Sequence, residues 1–267
     1  MNIFKRSTAR IAAWNLCGYH GITRARLKRQ VEGLALLDAE VVTLVEIKPL
    51  SVLDDLKQGL EEKGLSYHSM VLPQNNHLHI GVLYKDGVQA VNPRFIEGSD
   101  LDDRSLRKAF VVDMVVGRLD YQLITVHLKS GRRAKDQRRR DEQAKVIGKY
   151  ITSERKKSRE DILLLGDFNM IPGQDSSNFH HLGGNDLMDF LSSWDLQDRY
   201  SHILESGRAN LLDGFAISRT YSTEYIRGSL RVFPMHWAMD IGREKFRDTV
   251  SDHLPFVADF RINSSHE

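Results

Sequence analysis

The chain has 267 residues, 41% hydrophobic and 28% charged, with 38 Lys and Arg against 36 Asp and Glu. These proportions suit a soluble globular protein of one large domain or two small ones, and they exclude a disordered chain, a collagen and a disulfide-dense miniprotein. No apolar run reaches the roughly 18 residues that cross a bilayer, the stretch Ile11-Ala12-Ala13-Trp14 is too short for a signal peptide, and a single cysteine, Cys17, fits a reducing compartment.

A cytoplasmic protein without membrane insertion is therefore expected. In chain order, apolar patterning predicts a strand over residues 10–15, a helix over 24–37 and a buried strand over 40–46. A helix over 50–63 ends near Gly64. Strands follow over 67–72, 79–85, 88–96, 109–116 and 121–128, the last two joined tightly through residues 117–120. A long helix over 136–153 carries Ala144, Ile147 and Ile151 on one face, and strands over 161–166 and 256–262 complete the set. No low-complexity linker divides the chain and both ends contribute strands. One domain over 10–263 is expected, with an extension over 1–9 and a tail over 264–267. Strands in hairpin-like succession argue for mixed sheets with helices outside, not a doubly wound parallel sheet. The absence of Gly-x-Gly-x-x-Gly and Walker patterns argues against dinucleotide and P-loop chemistry.

Charge is unevenly spread. Residues 129–159 hold 13 basic against 4 acidic side chains, so this segment alone is +9 while the rest of the chain is negative. Such a segment is either a polyanion-facing surface or a solvated helix face laced with pairs such as Arg138 and Glu142.

Polar groups recur where apolar runs end. Asn15 follows Trp14, Glu46 follows Val45, His127 follows Val126, and Gly166-Asp167-Phe168-Asn169 follows Leu165. Met239 precedes Asp240, and Ser251-Asp252-His253 stands before the last strand. Each alone is an ordinary turn or cap; together they could meet at one sheet rim. Asn15, Glu46 and Asp252 would make a sparse oxygen site for Mg²⁺ or Mn²⁺ that leaves room for a substrate phosphate. Asp167, oriented by Asn169, could align or deprotonate water, while His127 and His253 donate to phosphoryl oxygens. Asp240 behind His253 would fix its tautomer and favour its charged form. Without Cys/His clusters, a structural zinc site is not expected.

With these motifs in order across nearly the whole chain, the sequence resembles the endonuclease/exonuclease/phosphatase superfamily, the group of deoxyribonuclease I and the exonuclease III type of abasic-site endonuclease. The resemblance implies a four-layer α/β/β/α sandwich of two mixed sheets flanked by helices, with the site at one rim. It also implies divalent-metal-dependent phosphoester hydrolysis. Carried over residue by residue, Asn15, Glu46 and Asp252 match the metal positions, Asp167 and Asn169 the water-handling pair, His127 the phosphate-stabilising histidine, and Asp240 with His253 the carboxylate–histidine pair. Arg107 resembles a phosphate-contacting arginine, although Ala109 replaces the usual proline two residues later. Lys129, Arg132 and Arg133 complete the expected phosphate contacts. Ile80 stands where deoxyribonuclease I places a groove-reading tyrosine, which speaks against that mode of duplex reading.

Within the superfamily, His127-Leu128-Lys129-Ser130 followed by Arg139-Arg140-Asp141-Glu142-Gln143-Ala144 is similar to bacterial nucleases. The surroundings of Asp240 lack the aromatic-Cys-Asp-Arg signature of inositol phosphatases, and Glu46-Ile47-Lys48 only partly matches the abasic-site Glu-Thr-Lys. Arg219, Tyr221, Tyr225, Arg227, Arg231, Phe233, His236 and Trp237 mix base-stacking and phosphate-binding types, or form a half-buried hairpin. Two adjacent histidines, His180 and His181, read as loop residues, and Cys17 as packing. The expectation is a monomeric nuclease acting on DNA or RNA, leaving a 5′-phosphate and a 3′-hydroxyl. The rivals are a phosphomonoesterase or lipid phosphodiesterase of the same fold, and a catalytically idle binding protein on this scaffold.

Overall fold

The structure, a computed structural model, describes residues 7–157, 161–191, 200–206, 209–218 and 224–263. Arg219 and Tyr221 lie outside the described residues, as do residues 1–6 of the expected extension and the tail over 264–267.

Two βαβ units form the centre. In the first, strand β1 (Thr8–Asn15) leads through helix α1 (Arg24–Leu37) to a parallel neighbour, β2 (Val41–Ile47). Thr23 starts α1 as its N-cap, its hydroxyl accepting from the Arg26 N–H at 3.2 Å. Helix α2 (Val52–Glu61) then packs on α1, and β3 (Tyr67–Leu72) and β4 (His79–Lys85) extend the sheet antiparallel. The second unit runs β5 (Val88–Phe95), β6 (Phe110–Val116), β7 (Leu119–His127), α3 (Ala134–Lys156) and β8 (Ile162–Asp167), with β7 and β8 parallel. The turn between β6 and β7 is tighter than expected, Val116 pairing directly with Leu119.

The last third is built of short elements, of which patterning reveals only the final strand. They are α4 (Ser176–Leu182), β9 (Met188–Phe190), β10 (His202–Ile203), β11 (Ala209–Asn210), β12 (Asp213–Ser218), β13 (Arg231–Val232), α5 (Met235–Ala238), α6 (Arg243–Thr249) and β14 (Phe256–Arg261). Two six-stranded mixed sheets result, ordered β13-β14-β1-β2-β4-β3 and β5-β6-β7-β8-β12-β9, with β10 and β11 as a separate pair.

Alternation along the strands explains the layering. Val112, Leu123, Leu163, Leu165 and Phe215 of the second sheet join Ala13, Leu44 and Phe256 of the first in one core. Their neighbours Val111, Ile124, Ile162 and Leu164 face outward to Ala144, Ile147 and Ile151 of α3. Helices α1, α2, α5 and α6 are grouped with the first sheet, and α3 with α4 with the second, so the order is helix, sheet, sheet, helix. No helix among the described residues is long and apolar enough to cross a membrane.

Candidate active site

Strand direction gathers the polar groups at one rim. The parallel strands β1, β2, β7 and β8 all end there, delivering Asn15, Glu46, His127 and Asp167. Antiparallel strands deliver the residues at their beginnings, so Asp213 opens β12 opposite Asp167. The segment Ser251-Asp252-His253 precedes β14 and is tied to β1. The Ser251 hydroxyl donates to Asn15 O at 2.6 Å, and the Trp14 indole donates to His253 O at 2.8 Å. Strand β8 meets β7 closely enough that a Cβ on Gly166 would lie 2.2 Å from Val126 O, and its φ of 130° admits only glycine comfortably.

Asp167 is the hub. Its Oδ2 accepts from Asn15 Nδ2 at 3.2 Å and lies 3.6 Å from His127 Nε2 and 3.9 Å from His253 Nε2. Its Oδ1 accepts from the Asn169 N–H at 2.9 Å, while the Asn169 amide is spent on Leu128 O at 3.1 Å. Burial, and then the like charges of Asp213 and Glu46, push the Asp167 carboxyl up to about 7. His127 is driven the other way: burial, with the cations Arg107 and His253 nearby, keeps it well below the ordinary histidine value.

The carboxylate behind His253 is Asp213, not Asp240. Asp213 Oδ2 sits 2.7 Å from His253 Nδ1. Burial opposes charge on the ring, but the Asp213 charge and hydrogen bond outweigh it, with Asp167 and Asp252 adding, so His253 is raised well above its usual value. Asp240 instead closes α5, in left-handed backbone (φ 51°) and with its N–H donating to Trp237 O at 3.0 Å. Met239-Asp240-Ile241 is a helix end, not a strand end.

The three expected metal positions differ in what they offer. Glu46 sits at a break in the β2–β4 register with a φ of 59°, its Oε1 3.6 Å from His127 Nε2. Asp252 turns toward His202, 3.6 Å away, and although burial opposes its ionisation, His202 and His253 hold it well below the usual carboxylate range. Asn15 presents nitrogen to both Glu46 and Asp167, and its Oδ1 accepts from the Cys17 N–H at 2.9 Å. Its amide thus orients both carboxylates. The donor atoms of Asp167, Asp213 and His253 lie within 4.8 Å of one another, as do those of His202, Asp252 and His253. A group of carboxylates gathered in one buried place, two of them crowded enough that burial and then Asp213 raise Asp167, is the donor set that a hard divalent cation suits.

His202 was not visible in any motif. It comes from the short β10, and its ring lies 4.7 Å from that of His253. Cys17 is buried, and burial followed by the Asp252 charge pushes its thiol up to about 12, so it is no nucleophile.

A cleft of about 630 Å³ connects these groups to solvent, lined by Glu46, His127, Asp167, Asn169, Asp252 and His253 with Arg107 and Arg132. Arg107 is mostly buried and braces the rim, its Nη2 donating to Leu128 O at 2.9 Å and its Nε to His127 O at 3.2 Å. Lys129 pairs with Asp136 at 3.3 Å and Arg132 with Asp175 at 3.2 Å. Arg133 is exposed and borders a second groove with Lys135 and Arg139 beside the cleft. Arg140, part of the basic run, is wholly buried, donating to Lys129 O and Gly131 O at 2.8 and 2.7 Å, so it shapes the lip from beneath.

Of the basic and aromatic set near the end of the chain, no described member lines the cleft. Tyr225 packs on Phe260, Arg231 pairs with Asp259, and His236 is buried. Because β12 and β13 belong to different sheets, they form no hairpin. His180 and His181 lie on α4, not in a loop, with His181 on Asp141 at 2.7 Å. Ile80 is wholly buried and reads no groove.

The model of the endonuclease/exonuclease/phosphatase family matches residues 12–253. Among solved structures, D. rerio TDP2 complexed with a single-strand DNA product is 18% identical, covering 96% of this chain and 100% of that one at a TM-score of 0.70. The 3′-5′ exonuclease NExo of Neisseria meningitidis is 16% identical, covering 94% and 99% at 0.70. The human Nocturnin catalytic domain with bound sulfate is 17% identical, covering 96% and 94% at 0.68. At these identities the likeness is one of fold. No curated protein matches the chain in sequence.

Proposed function

Since the chain belongs to the endonuclease/exonuclease/phosphatase family, whose members are mostly phosphoester hydrolases dependent on divalent metal, we propose that it is a phosphodiesterase that hydrolyses nucleic acid, DNA foremost. The observation that carries this reading is the convergence of Asn15, His127, Asn169 and His253 on Asp167 at the floor of an open cleft.

Glu46 and Asp252 are the carboxylates that would hold Mg²⁺ or Mn²⁺, which when bound neutralises charge on the phosphoryl and leaving oxygens. The protein's own groups divide the remaining work. Asp167, oriented through the Asn169 N–H, takes the proton of the attacking water; a carboxyl raised to about 7 is well matched to that task near neutral pH. His253, kept cationic by Asp213, donates from Nε2 to a phosphoryl oxygen, and neutral His127 donates a second hydrogen bond. Asn15 holds Glu46 and Asp167 in mutual register. In-line attack then leaves a 5′-phosphate and a 3′-hydroxyl. Arg133 and Lys135, in the groove beside the cleft, suit the flanking phosphates of a polymer. The same reading takes the protein to be cytoplasmic, supported by its single, buried cysteine.

End-group analysis of a cleaved oligonucleotide tests it. Products carrying 5′-phosphate are expected. Hydrolysis of phosphoinositides or phosphomonoesters with no cleavage of oligonucleotides would overturn it.

A further inference from the structure

Among the described residues four large hydrophobic side chains are exposed, and Tyr19, 66% exposed, is the one that lines the active-site cleft. One exposed aromatic is ordinary on a protein surface. What sets Tyr19 apart is how its backbone is held. The Tyr19 N–H donates to Glu46 Oε2 at 3.0 Å, and the Gly21 N–H closes the turn on Gly18 O at 3.0 Å. Cys17 enters the turn in left-handed backbone (φ 54°) with its own N–H on Asn15 Oδ1. A Cβ on Gly18 would stand 1.9 Å from Glu46 O, so only glycine lets the turn lie against β2. Glu46 is itself in left-handed backbone, a conformation costly for a non-glycine residue that clusters at functional sites. The turn and the site carboxylate are therefore locked together, which anchors the Tyr19 backbone at the wall of the cleft.

The same cleft is lined by Lys48 and by Asn76, His77 and Leu78 of the β3–β4 connection. That connection is anchored, with Asn76 Nδ2 donating to Leu106 O at 3.0 Å and the Leu78 N–H to Asn76 Oδ1 at 2.9 Å. His77 is exposed and Lys48 half-buried. The catalytic groups use none of these side chains.

We propose that Tyr19, with His77 and Lys48, forms a nucleobase subsite in which the tyrosine ring stacks on the base of a nucleotide adjoining the scissile phosphate. The proposal rests on the nucleic-acid reading above and adds to it where the base is received. A stacking ring suits a planar heterocycle and does nothing for an aliphatic lipid or a sugar phosphate. Every base has a π-face, so the subsite tolerates sequence while requiring a base. A cleft of about 630 Å³ has room for one nucleotide.

The test uses single-stranded oligonucleotides with one cleavable linkage, all others being phosphorothioate, and a tetrahydrofuran abasic residue placed on either side of that linkage. In the wild-type enzyme, removing the base on one side should raise KM by about 5- to 150-fold, the equivalent of one stacked base, with kcat changed little. Tyr19→Ala should show that KM loss on the intact substrate and no further loss on the abasic one. Tyr19→Phe, which keeps the ring, should behave as wild type. Equal losses for Tyr19→Ala on intact and abasic substrates would overturn the subsite and reduce Tyr19 to a support for Glu46. Unchanged kinetics in Tyr19→Ala would overturn it too. A wild-type enzyme that hydrolyses bis(p-nitrophenyl) phosphate but no oligonucleotide would overturn the nucleic-acid reading, and the subsite with it.

Discussion

Replacing Asp213 with Asn removes one charge from the buried pair that holds His253. The two side chains are 4% and 6% exposed and 2.7 Å apart, so almost no solvent screens them. Burial by itself drives His253 toward its neutral form; the Asp213 charge and hydrogen bond reverse that, assisted by Asp167 and Asp252. An amide keeps the shape and loses the charge. Without that charge the largest influence favouring the cationic ring is gone, so the variant ring releases its proton at lower pH than the wild type. Where the variant ring has lost its proton, the missing cationic donor costs the transition state about 10²–10⁴ in kcat. Toward pH 5 the ring regains its proton and the deficit narrows. Asp167 stays competent as base in that range, because Asp213 is also a principal cause of its raised value. Stability follows the same linkage. A histidine raised by folding stabilises the fold fully below about 6.5, and that contribution fades as pH rises through the raised value. The Tm deficit of Asp213→Asn is therefore larger at pH 6 than at pH 9. The assay is kcat on an oligonucleotide from pH 5 to 9, with thermal melts alongside and Asp240→Asn as a control expected to match wild type. A deficit that stays constant with pH, or loss of activity in Asp240→Asn, would refute the reasoning.

Glu46→Gln should weaken titrated divalent-metal affinity, because an amide keeps an oxygen but loses the charge that holds a hard cation, and high Mg²⁺ or Mn²⁺ should partly restore turnover; unchanged affinity would remove Glu46 from the metal site. Arg133→Gln with Lys135→Gln should reduce the slope of log affinity against log salt on duplex DNA by at most about two, at roughly 0.9 per phosphate contact, measured on an Asp167→Asn background. Arg140→Met should cost about 3–5 kcal/mol in urea unfolding, because it leaves buried Asp175 with the partly exposed Arg132 as its one cation beside the Ile171 N–H; a cost under about 1 kcal/mol would return Arg140 to the surface run.

How much of this was legible in the sequence depends on strand direction and element length. Asn15, Glu46, His127 and Asp167 were readable because each ends a strongly apolar parallel strand. Asp213 was not, because β12 is antiparallel and presents its first residue, not its last, to the rim. Asp240 was misplaced because a short helix end, Met239-Asp240-Ile241, imitates a strand end. Arg140 carried a usable signal: residues 140, 144, 147 and 151 fall on one helical face, and the other three are apolar and buried. His202 carried none, since a strand of two residues has no period to read. The fold was largely legible for a different reason, namely that alternation within β6, β7 and β8 serves two cores at once.

The central claim is that Asp167 sits at a divalent-metal-dependent phosphodiesterase centre. Conversion of supercoiled plasmid to nicked circles, followed with Mg²⁺ or Mn²⁺, with EDTA, and after metal is restored, tests it most directly when run beside Asp167→Asn. The account predicts nicking with metal, none with EDTA, recovery on restoring metal, and none in the variant. Equal nicking in EDTA, or more than about a tenth of the wild-type rate in Asp167→Asn, would contradict it.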